Sequence, residues 1–375
     1  MRREGGLMVI GAAIGDVTVM PAPKNLPSAG STPMERIRLS TGGDALNEAT
    51  VAARLGCKTA LVTLLGRDDM AAVIRGHCDR EGVRLLGPEA PEMDTGLNVV
   101  LVDETGERRF LTNANSTLRR LSLEHILPVL ETEEYAAARA VCLASLFVSP
   151  ALTLTDTEAL FRRVKADGKL LCADTTRPKH GETAADAAGA LKHLDWFFPN
   201  LEEALRLTKA DSPRAAAEAL LSAGVRHVAL KLGGEGCLLA SRETDFGEKI
   251  AVPPEPLRAS ANDRRGECGC AAALSRTGSA LDACAPSMAT SAPDGSFHFR
   301  IVPAVPGVRC VDATGAGDTF AASFQCALLA GEPPVRCAAY ANAVASLCVE
   351  QPGATSAALA PDEIARRRDA VLARL

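Results

Sequence analysis

The segment that decides the fold and the site lies near the carboxyl end and reads Asp312-Ala313-Thr314-Gly315-Ala316-Gly317-Asp318. Residues 308–311 before it predict a strand, and the apolar run that follows to residue 329 predicts a helix. The small residues between them predict a tight turn, at which the unpaired backbone N–H groups and the positive end of the helix dipole point. Such a turn binds anions, and phosphate is the usual one.

Asp318 stands in the first turn of the predicted helix, where two roles are open to its carboxylate. It can cap the helix, which the local sequence taken alone favours, or it can face a ligand held in the turn. Other phosphate-binding patterns are missing, since the chain has no Gly-x-x-x-x-Gly-Lys-Ser/Thr loop and no strand-to-helix turn with the full Gly-x-Gly-x-x-Gly signature. The turn at 315–318 is therefore the candidate phosphate-binding site of the chain.

The rest of the chain alternates between strand-like and helix-like segments. An opening strand at 7–14, a helix at 45–55, a strand at 58–65 and a helix at 69–81 set a rhythm that resumes after residue 140. This alternation predicts an α/β fold with a mostly parallel central sheet and helices on its faces. The 375 residues are expected to form a single domain.

Two stretches depart from the α/β rhythm. Residues 96–113 predict a hairpin, and together with residues 17–41 they predict a small β-sheet that projects as a lid. Residues 241–298 are rich in Gly, Ser, Ala and Pro without helical or strand periodicity, and they predict an irregular insertion.

Composition excludes several classes of protein. The net charge of -5 and the lack of a basic stripe argue against a nucleic-acid partner. No apolar run reaches the roughly eighteen residues of a membrane span, and Gly15 and Asp16 interrupt the apolar amino end, which argues against a secretory signal. The twelve scattered cysteines are expected to be mostly buried thiols, as is typical of a cytoplasmic protein.

The chain resembles the ribokinase (PfkB) family of carbohydrate kinases over nearly its whole length except the insertion. Two signatures occur in the expected order, the carboxyl-terminal turn at 312–318 and an amino-terminal segment that reads Gly42-Gly43-Asp44-Ala45-Leu46-Asn47-Glu48-Ala49. The resemblance implies a ribokinase-like three-layer sandwich with a β lid. It also implies ATP-dependent phosphorylation of a hydroxyl on a sugar or sugar-like molecule, of the ribose, fructose or keto-sugar-acid type, with Mg²⁺ as cofactor.

For the carboxyl-terminal turn, the resemblance implies an anion hole for the transferring phosphoryl group, with Asp318 as the base that takes the hydroxyl proton. The backbone donors of that anion hole would be Gly315, Ala316 and Gly317. Many relatives also bind a monovalent cation beside the turn, which implies a potassium site. Its ligands here would be Asp312, Thr314 and Gly353, although Ala313 departs from the commoner hydroxyl residue.

For the acceptor, the resemblance places Asp16, Gly42, Gly43 and Asn47 around the substrate hydroxyls. Simpler roles stay open, because Asp16 and the glycines suit a turn and Asn47 suits a helix cap. Arg109 in the lid is a candidate substrate contact. Arg177 is a second candidate, in a stretch one residue shorter than the family's Asp-x-Asn-x-Arg, and either arginine could instead be a solvated surface group.

For the nucleotide, the resemblance implies six binding residues: Asn200, Glu203, Lys231, Gly233, Gly236 and Asn342. Glu203 would act on magnesium indirectly, although an acid in a first helical turn is also favoured by the helix dipole. Many relatives carry Thr at the position of Lys231. Asn342 could equally be a satisfied polar group on a helix face.

Two other functions remain open from the sequence. A nucleoside kinase would need an apolar or aromatic surface for the base, and the chain has ten Phe, two Tyr and one Trp. A catalytically silent sugar sensor could use the same fold, because a fold alone does not establish activity. The family also implies a homodimer formed through the lid, whose edge strands would otherwise be open to pairing.

Overall fold

The computed structural model describes residues 6–23, 30–105, 107–242, 246 and 297–375. Thirteen strands are found in these residues: β1 (Gly6–Ile10), β2 (Ile14–Met20), β3 (Arg36–Gly42), β4 (Lys58–Val62), β5 (Val83–Leu86), β6 (Leu97–Val102), β7 (Arg108–Thr112), β8 (Ala138–Leu146), β9 (Leu170–Thr175), β10 (Trp196–Phe197), β11 (His227–Lys231), β12 (Cys237–Ser241) and β13 (His298–Val302).

Eleven α-helices occur in the same residues: α1 (Asp44–Arg54), α2 (Asp69–Glu81), α3 (Leu123–Ile126), α4 (Glu133–Ala137), α5 (Leu154–Ala166), α6 (Ala188–Leu191), α7 (Leu201–Thr208), α8 (Pro213–Ser222), α9 (Ala316–Leu329), α10 (Pro334–Val349) and α11 (Pro361–Leu372). None of them is both long and apolar enough to cross a membrane.

The central sheet has nine strands in the order β13-β12-β11-β10-β9-β8-β1-β4-β5. Strands from β11 to β5 pair in parallel, and β12 and β13 add an antiparallel edge. Side chains alternate across the sheet, so Leu7 and Val9 of β1 enter one hydrophobic cluster and Met8 and Ile10 enter the other. Helices α1, α2, α9 and α10 cover the first face and α5, α7 and α8 cover the second. The predicted mostly parallel α/β sandwich is confirmed.

A second sheet of four strands, β3-β2-β6-β7, forms the lid. The chain enters it directly from β1, because the predicted strand at 7–14 is two strands that belong to different sheets. Gly11, with φ of 150°, lies at the break. Asp16 therefore lies inside lid strand β2, whereas the sequence placed it at the carboxyl end of a central strand.

Residues 308–311 form no strand, which corrects the sequence-based prediction. They belong to a loop between β13 and α9, and this loop is anchored where the backbone N–H groups of Val311 and Asp312 donate to the carbonyl of Val349. The anion-binding turn is thus held by α10 and not by a strand that leads into it.

The predicted insertion at 241–298 lies mostly outside the described residues. Its two ends are described, and they meet, because Ser241 of β12 pairs with His298 of β13 in an antiparallel register. The segment therefore connects two neighbouring antiparallel strands at the edge of the central sheet.

Candidate active site

The turn before α9 is shaped by Gly315, which occupies the N-cap position with φ of 73°. A Cβ at this position would lie 2.5 Å from the Cβ of Ala354, so only glycine fits. The first helical hydrogen bond runs from the Thr319 N–H to the Gly315 carbonyl, at 2.8 Å. The N–H groups of Gly317 and Asp318 precede that bond and are available to a ligand.

Ala316 differs from the expected donor set of the anion hole. Its backbone N–H donates to the carbonyl of Ala313 at 3.2 Å, within the turn itself. The donors that the turn directs outward in this structure are therefore those of Gly317 and Asp318, and Ala316 helps to close the turn.

Asp318 accepts a hydrogen bond of 2.7 Å from Asn47 Nδ2 of α1, through its Oδ2 atom. Neither residue is a helix cap, since Gly315 occupies that position in α9 and Gly43 occupies it in α1. Burial, and then the nearby carboxylate of Asp44, raise the pKa of Asp318 to about 8, while the bond from Asn47 works in the opposite direction. A carboxyl with this pKa can exchange protons near neutral pH.

Lys231, at the end of β11, is the cation among the site's carboxylates. Its Nζ atom lies 2.5 Å from Asp174 Oδ2, and both side chains are largely buried. Burial lowers the pKa of Lys231, but the carboxylates of Asp174 and Glu203 outweigh burial and hold it above its ordinary value. The Nζ atom also lies 3.2 Å from the point that a Cβ on Gly317 would occupy, so Lys231 borders the anion-binding turn.

The lid contributes Asp16 to the other side of the site. Asp16 Oδ1 accepts from Asn98 Nδ2 at 3.1 Å, and a Cβ on Gly42 would collide with Asp16 Oδ2. Gly43, with φ of 97°, brings its backbone against the carbonyl of Ala12, where a Cβ would lie 2.5 Å away. The two glycines thus let the start of α1 approach both lid strand β2 and the connection between β1 and β2.

Asp44 completes this corner of the site. Its Oδ2 atom accepts from Ser145 Oγ at 3.0 Å, at the carboxyl end of β8. Burial raises the pKa of Asp44 above its ordinary value. Its carboxylate also raises the pKa of Asp16 and of Asp318, so it is close enough to couple the lid to the anion-binding turn.

On the nucleotide side, Asn200 and Glu203 bond to each other at the start of α7. The Glu203 N–H donates to Asn200 Oδ1 and the Asn200 N–H donates to Glu203 Oε2, each at 2.9 Å. This is a capping box, so both residues have a structural role. Burial raises the pKa of Glu203, and Lys231 opposes the shift.

The remaining nucleotide candidates are held by the backbone of the sheet edge. A Cβ on Gly236 would collide with the Val302 carbonyl, whereas Gly233 faces open space. Asn342 Nδ2 donates to the carbonyls of Val302 and Pro303, at 3.1 and 2.9 Å. The amide of Asn342 thus anchors α10 to the end of β13, as expected of a satisfied polar group on a helix.

The proposed cation loop has a different partner. Asp312 Oδ1 accepts from the backbone and hydroxyl of Thr314, and Asp312 Oδ2 accepts from the Gly353 N–H at 2.9 Å. Arg108 of the lid donates to Asp312 Oδ1 at 2.7 Å and also bonds to Thr314 Oγ1. Burial raises the pKa of Asp312, but these hydrogen bonds outweigh burial and hold the pKa below its usual range.

The two arginines named from the sequence are not brought to this site. Arg109 pairs with Leu101 in the lid, on the sheet face opposite Asp16, whereas its neighbour Arg108 lies on the Asp16 face. Arg177 forms an exposed ion pair with Glu202 at 2.7 Å.

Sequence reasoning missed five residues of the site: Asp44, Asn98, Arg108, Ser145 and Asp174. Side chains alternate between the two faces of a strand, so Arg108 can be assigned to the face of Asp16, and Arg109 to the other face, once the pairing of the lid strands is known. Asp174 carried a signal of its own, since it directly follows a buried apolar run on a central strand.

A mostly parallel α/β sandwich with a β lid, and a carboxylate inside an anion-binding turn, defines an α/β phosphotransferase. The family model described as pfkB family carbohydrate kinase matches residues 5–256 and 290–361. The chain belongs to this family and is a carbohydrate kinase, a phosphotransferase that acts on an alcohol group. The unmatched residues 257–289 fall within the predicted insertion.

Curated relatives agree with this assignment. An "Uncharacterized sugar kinase" of Archaeoglobus fulgidus is 23% identical over 303 residues, which cover 80% of this chain and 95% of the relative. The 2-dehydro-3-deoxygluconokinase of Haemophilus influenzae is 23% identical over 240 residues, 60% of this chain and 75% of the relative.

Solved structures share the fold. Arabidopsis thaliana ribokinase, in complex with ribose and ATP, superposes with a TM-score of 0.66 at 21% identity, over 97% of this chain and 98% of that one. A protein from E. coli solved with ATP and Mg²⁺ gives a TM-score of 0.68 at 19% identity, over 99% of this chain and 100% of that one.

The buried ion pair of Lys231 gives a stability prediction. Lys231→Met leaves Asp174 as a buried charge without its partner, and we expect a loss of about 3–5 kcal/mol in the free energy of unfolding at pH 8. Urea denaturation measures it. The loss should shrink as the pH falls, because burial already raises the pKa of Asp174 to about 7 beside Lys231, and removal of Lys231 raises that pKa further, so the carboxyl of the variant takes up a proton.

Two further variants complete the Lys231 experiment. Adding Asp174→Asn should recover most of the loss, since it removes the unpaired charge. Lys192→Met, which breaks the more exposed pair with Glu158, should cost under about 1 kcal/mol. Equal losses for the two lysine variants would contradict the prediction.

Proposed function

We propose that the chain transfers the γ-phosphoryl group of ATP to a hydroxyl of a sugar or sugar acid, with Asp318 as the base. The observation that carries the proposal is the position of Asp318, which lies in the anion-binding turn, bonded to Asn47 and with its pKa raised to about 8. A proton acceptor and the N–H donors for a phosphoryl group thus lie in the same turn. Phosphoryl transfer to an alcohol requires this arrangement, because positioning and charge stabilisation dominate its catalysis.

In the proposed reaction each group has one task. Asp318, when ionised, accepts the proton of the acceptor hydroxyl as that oxygen attacks the γ-phosphorus, whose bond to the bridging oxygen breaks so that ADP leaves. The N–H groups of Gly317 and Asp318 stabilise the charge on the transferring group, and Asn47 orients the carboxylate. Lys231 adds positive charge beside Gly317. Preorganised donors of this kind are worth about 2.7 to 4 kcal/mol each.

The nucleotide is proposed to lie along the sheet edge at Gly233 and Gly236, with its phosphates directed to the turn. Asp44, Asp174 and Glu203 add negative charge around Lys231, which suits Mg²⁺ held mainly by phosphate oxygens and water. Among the described residues no group of three or more His, Cys, Asp or Glu is arranged to hold a metal. Magnesium would neutralise phosphate charge, and Glu203 would act on it indirectly.

The acceptor is proposed to bind between Asp16, Gly42, Gly43 and Asn47. A carboxylate beside an amide, as in Asp16 and Asn98, suits vicinal hydroxyls of a free sugar. The relatives named above act on ribose and on a keto-sugar acid, and both chemistries enter the test. Phe110 is 57% exposed and lies on the same face of the lid as Asp16, so nucleosides enter the test as the alternative acceptor.

The lid is proposed to pair two copies of the chain. Its face opposite Asp16 carries Ile37, Leu39 and Leu111, which are 65%, 51% and 56% exposed. Apolar side chains at this density on one sheet face are typical of an interface. A homodimer would cover them.

The function is tested with purified protein, ATP, Mg²⁺ and a panel of pentoses, hexoses, keto-sugar acids and nucleosides, with ADP release as the readout. We expect turnover on a sugar or sugar acid. Asp318→Asn should lower kcat by about a hundred- to ten-thousand-fold. Its midpoint of unfolding in urea at pH 8 should be no lower than that of wild type, because the amide is neutral and carries no buried charge.

The matched control is Asp369→Asn, because Asp369 is an exposed carboxylate on α11. It should keep full activity. Binding of acceptors without ADP release from any of them would favour the sugar sensor, and near-normal turnover by folded Asp318→Asn would remove the assigned base.

The raised pKa of Asp318 gives a pH dependence. The base works when ionised, so kcat/KM for the acceptor should rise about tenfold per pH unit below about pH 8 and level off above it. Initial rates between pH 6 and 9.5 measure this. A profile that is flat from pH 6 to 8 would show that no group with this pKa acts as the base.

Potassium is proposed to act at the loop of Asp312, Thr314 and Gly353, where Arg108 already neutralises the carboxylate. Arg108→Gln removes that charge, so KCl should stimulate this variant about tenfold more than wild type, with choline chloride to match ionic strength. Arg109→Gln, on the other face of the lid, should respond as wild type does. Absence of a potassium effect in all three proteins would contradict the site.

The lid interface is tested by Leu39→Glu, which places a charge in the apolar face. Light scattering after size-exclusion chromatography should give the molar mass of a dimer for wild type and that of a monomer for the variant. Val73→Glu, at a partly exposed position of α2, is the control and should stay dimeric. A monomeric wild type at micromolar concentration would refute the interface.

A further inference from the structure

Glu48 is a fully buried acid, one residue after Asn47 in α1. Its side chain is 0% exposed, as is that of Gln325 in α9. Glu48 Oε2 accepts from Gln325 Nε2 at 3.0 Å and from Cys142 Sγ at 3.4 Å. Burial of an acid at this depth is costly unless its oxygens are satisfied or it is neutral.

Two oxygens of this pair lack a donor among the described residues. They are Glu48 Oε1 and Gln325 Oε1, both buried. An ionised carboxylate and an amide oxygen are both acceptors only, so neither satisfies the other. A proton on Glu48 Oε1 changes this, because the acid O–H donates to the amide oxygen while the amide N–H donates to the acid's second oxygen. One proton thus satisfies both oxygens.

We propose that Glu48 is a neutral carboxylic acid that closes a ring of two hydrogen bonds with the Gln325 amide and so holds α1 against α9. The two helices carry Asn47 and Asp318, whose own bond lies at the mouth of the same helix interface. Glu48 is therefore a positioning residue for the base. Its effect on catalysis rests on the proposed role of Asp318, whereas its neutrality does not.

The charges around Glu48 support its neutral form. Burial, and then the carboxylates of Asp174 and Asp318, raise the pKa of Glu48 well above its ordinary value. Lys231 opposes the shift but is already paired with Asp174. The titratable groups that face Glu48 are Asp44 on its own helix, Cys142 on β8, Cys172 and Asp174 on β9, Lys231 on β11 and Asp318 on α9.

The test is Glu48→Gln, whose amide has the same shape and can form an equivalent ring with Gln325. We expect the variant to fold and to keep kcat/KM within about threefold of wild type, since both oxygens stay satisfied. The second readout is the folding equilibrium in urea against pH. The neutral acid of wild type ionises on unfolding, so its folding constant should fall about tenfold per pH unit relative to the variant above about pH 5, for as long as Glu48 stays neutral in the folded protein.

A broken ring gives the converse result. Gln325→Leu leaves the Glu48 acid without its partner, and the folding constant should fall about ten- to a hundred-fold, with a lower kcat at saturating substrate. The double variant Glu48→Gln/Gln325→Glu restores an acid and an amide in reversed positions and should recover both quantities.

Three results would overturn the proposal. They are a Glu48→Gln protein that fails to fold, a loss of more than a hundredfold in its kcat/KM, and equal pH dependence of folding in wild type and Glu48→Gln. The folding measurements need no acceptor, so they decide the state of Glu48 even if Asp318 is not the base.

Discussion

The site depends on one contact, the hydrogen bond of 2.7 Å from Asn47 to Asp318. The two residues are 271 positions apart in the chain, and they meet because α1 and α9 pack side by side on one face of the central sheet. Small residues make the close approach possible, since Ala45, Ala49, Ala321 and Ala322 are all buried there. A carboxylate from one end of the chain is thereby oriented by an amide from the other.

The same packing explains the electrostatics of the site. Helices α1, α7 and α9 and the ends of β9 and β11 bring together Lys231 and four carboxylates, those of Asp44, Asp174, Glu203 and Asp318. Burial raises the pKa of each carboxyl, and the acids raise one another. This concentration of like charge costs stability, and together with burial it raises the pKa of Asp318 to about 8. The low exposure of Lys231 preserves the strength of its pairing with Asp174.

In the lid, strand register determines which of two neighbouring arginines reaches the loop before α9. Arg108 and Arg109 are neighbours of the same chemical type, yet alternation sends Arg108 to the face of Asp16 and Arg109 to the opposite face. Arg108 then reaches Asp312 in the loop before α9. The lid is thus connected to the loop before α9 by an ion pair, and its other face carries Arg109 beside the exposed apolar side chains of Ile37, Leu39 and Leu111.

The sequence by itself indicated the α/β class, the small second sheet and the turn at 315–318, because these follow from local periodicity and from the positions of glycines. The family followed from the resemblance of residues 42–49 and 312–318 to its two signatures. The sequence also identified Asp318 and Asn47, but the local sequence favoured a helix cap for Asp318 and left a cap open for Asn47. Only the tertiary structure showed that neither residue is a helix cap and that the two bond to each other. It also showed the split of the first strand between two sheets, the loop at 308–311 and the contact of Arg108 with Asp312. These depend on which distant residues meet, and on the burial that follows. Local sequence specifies neither, since pairing register and packing are properties of the whole fold.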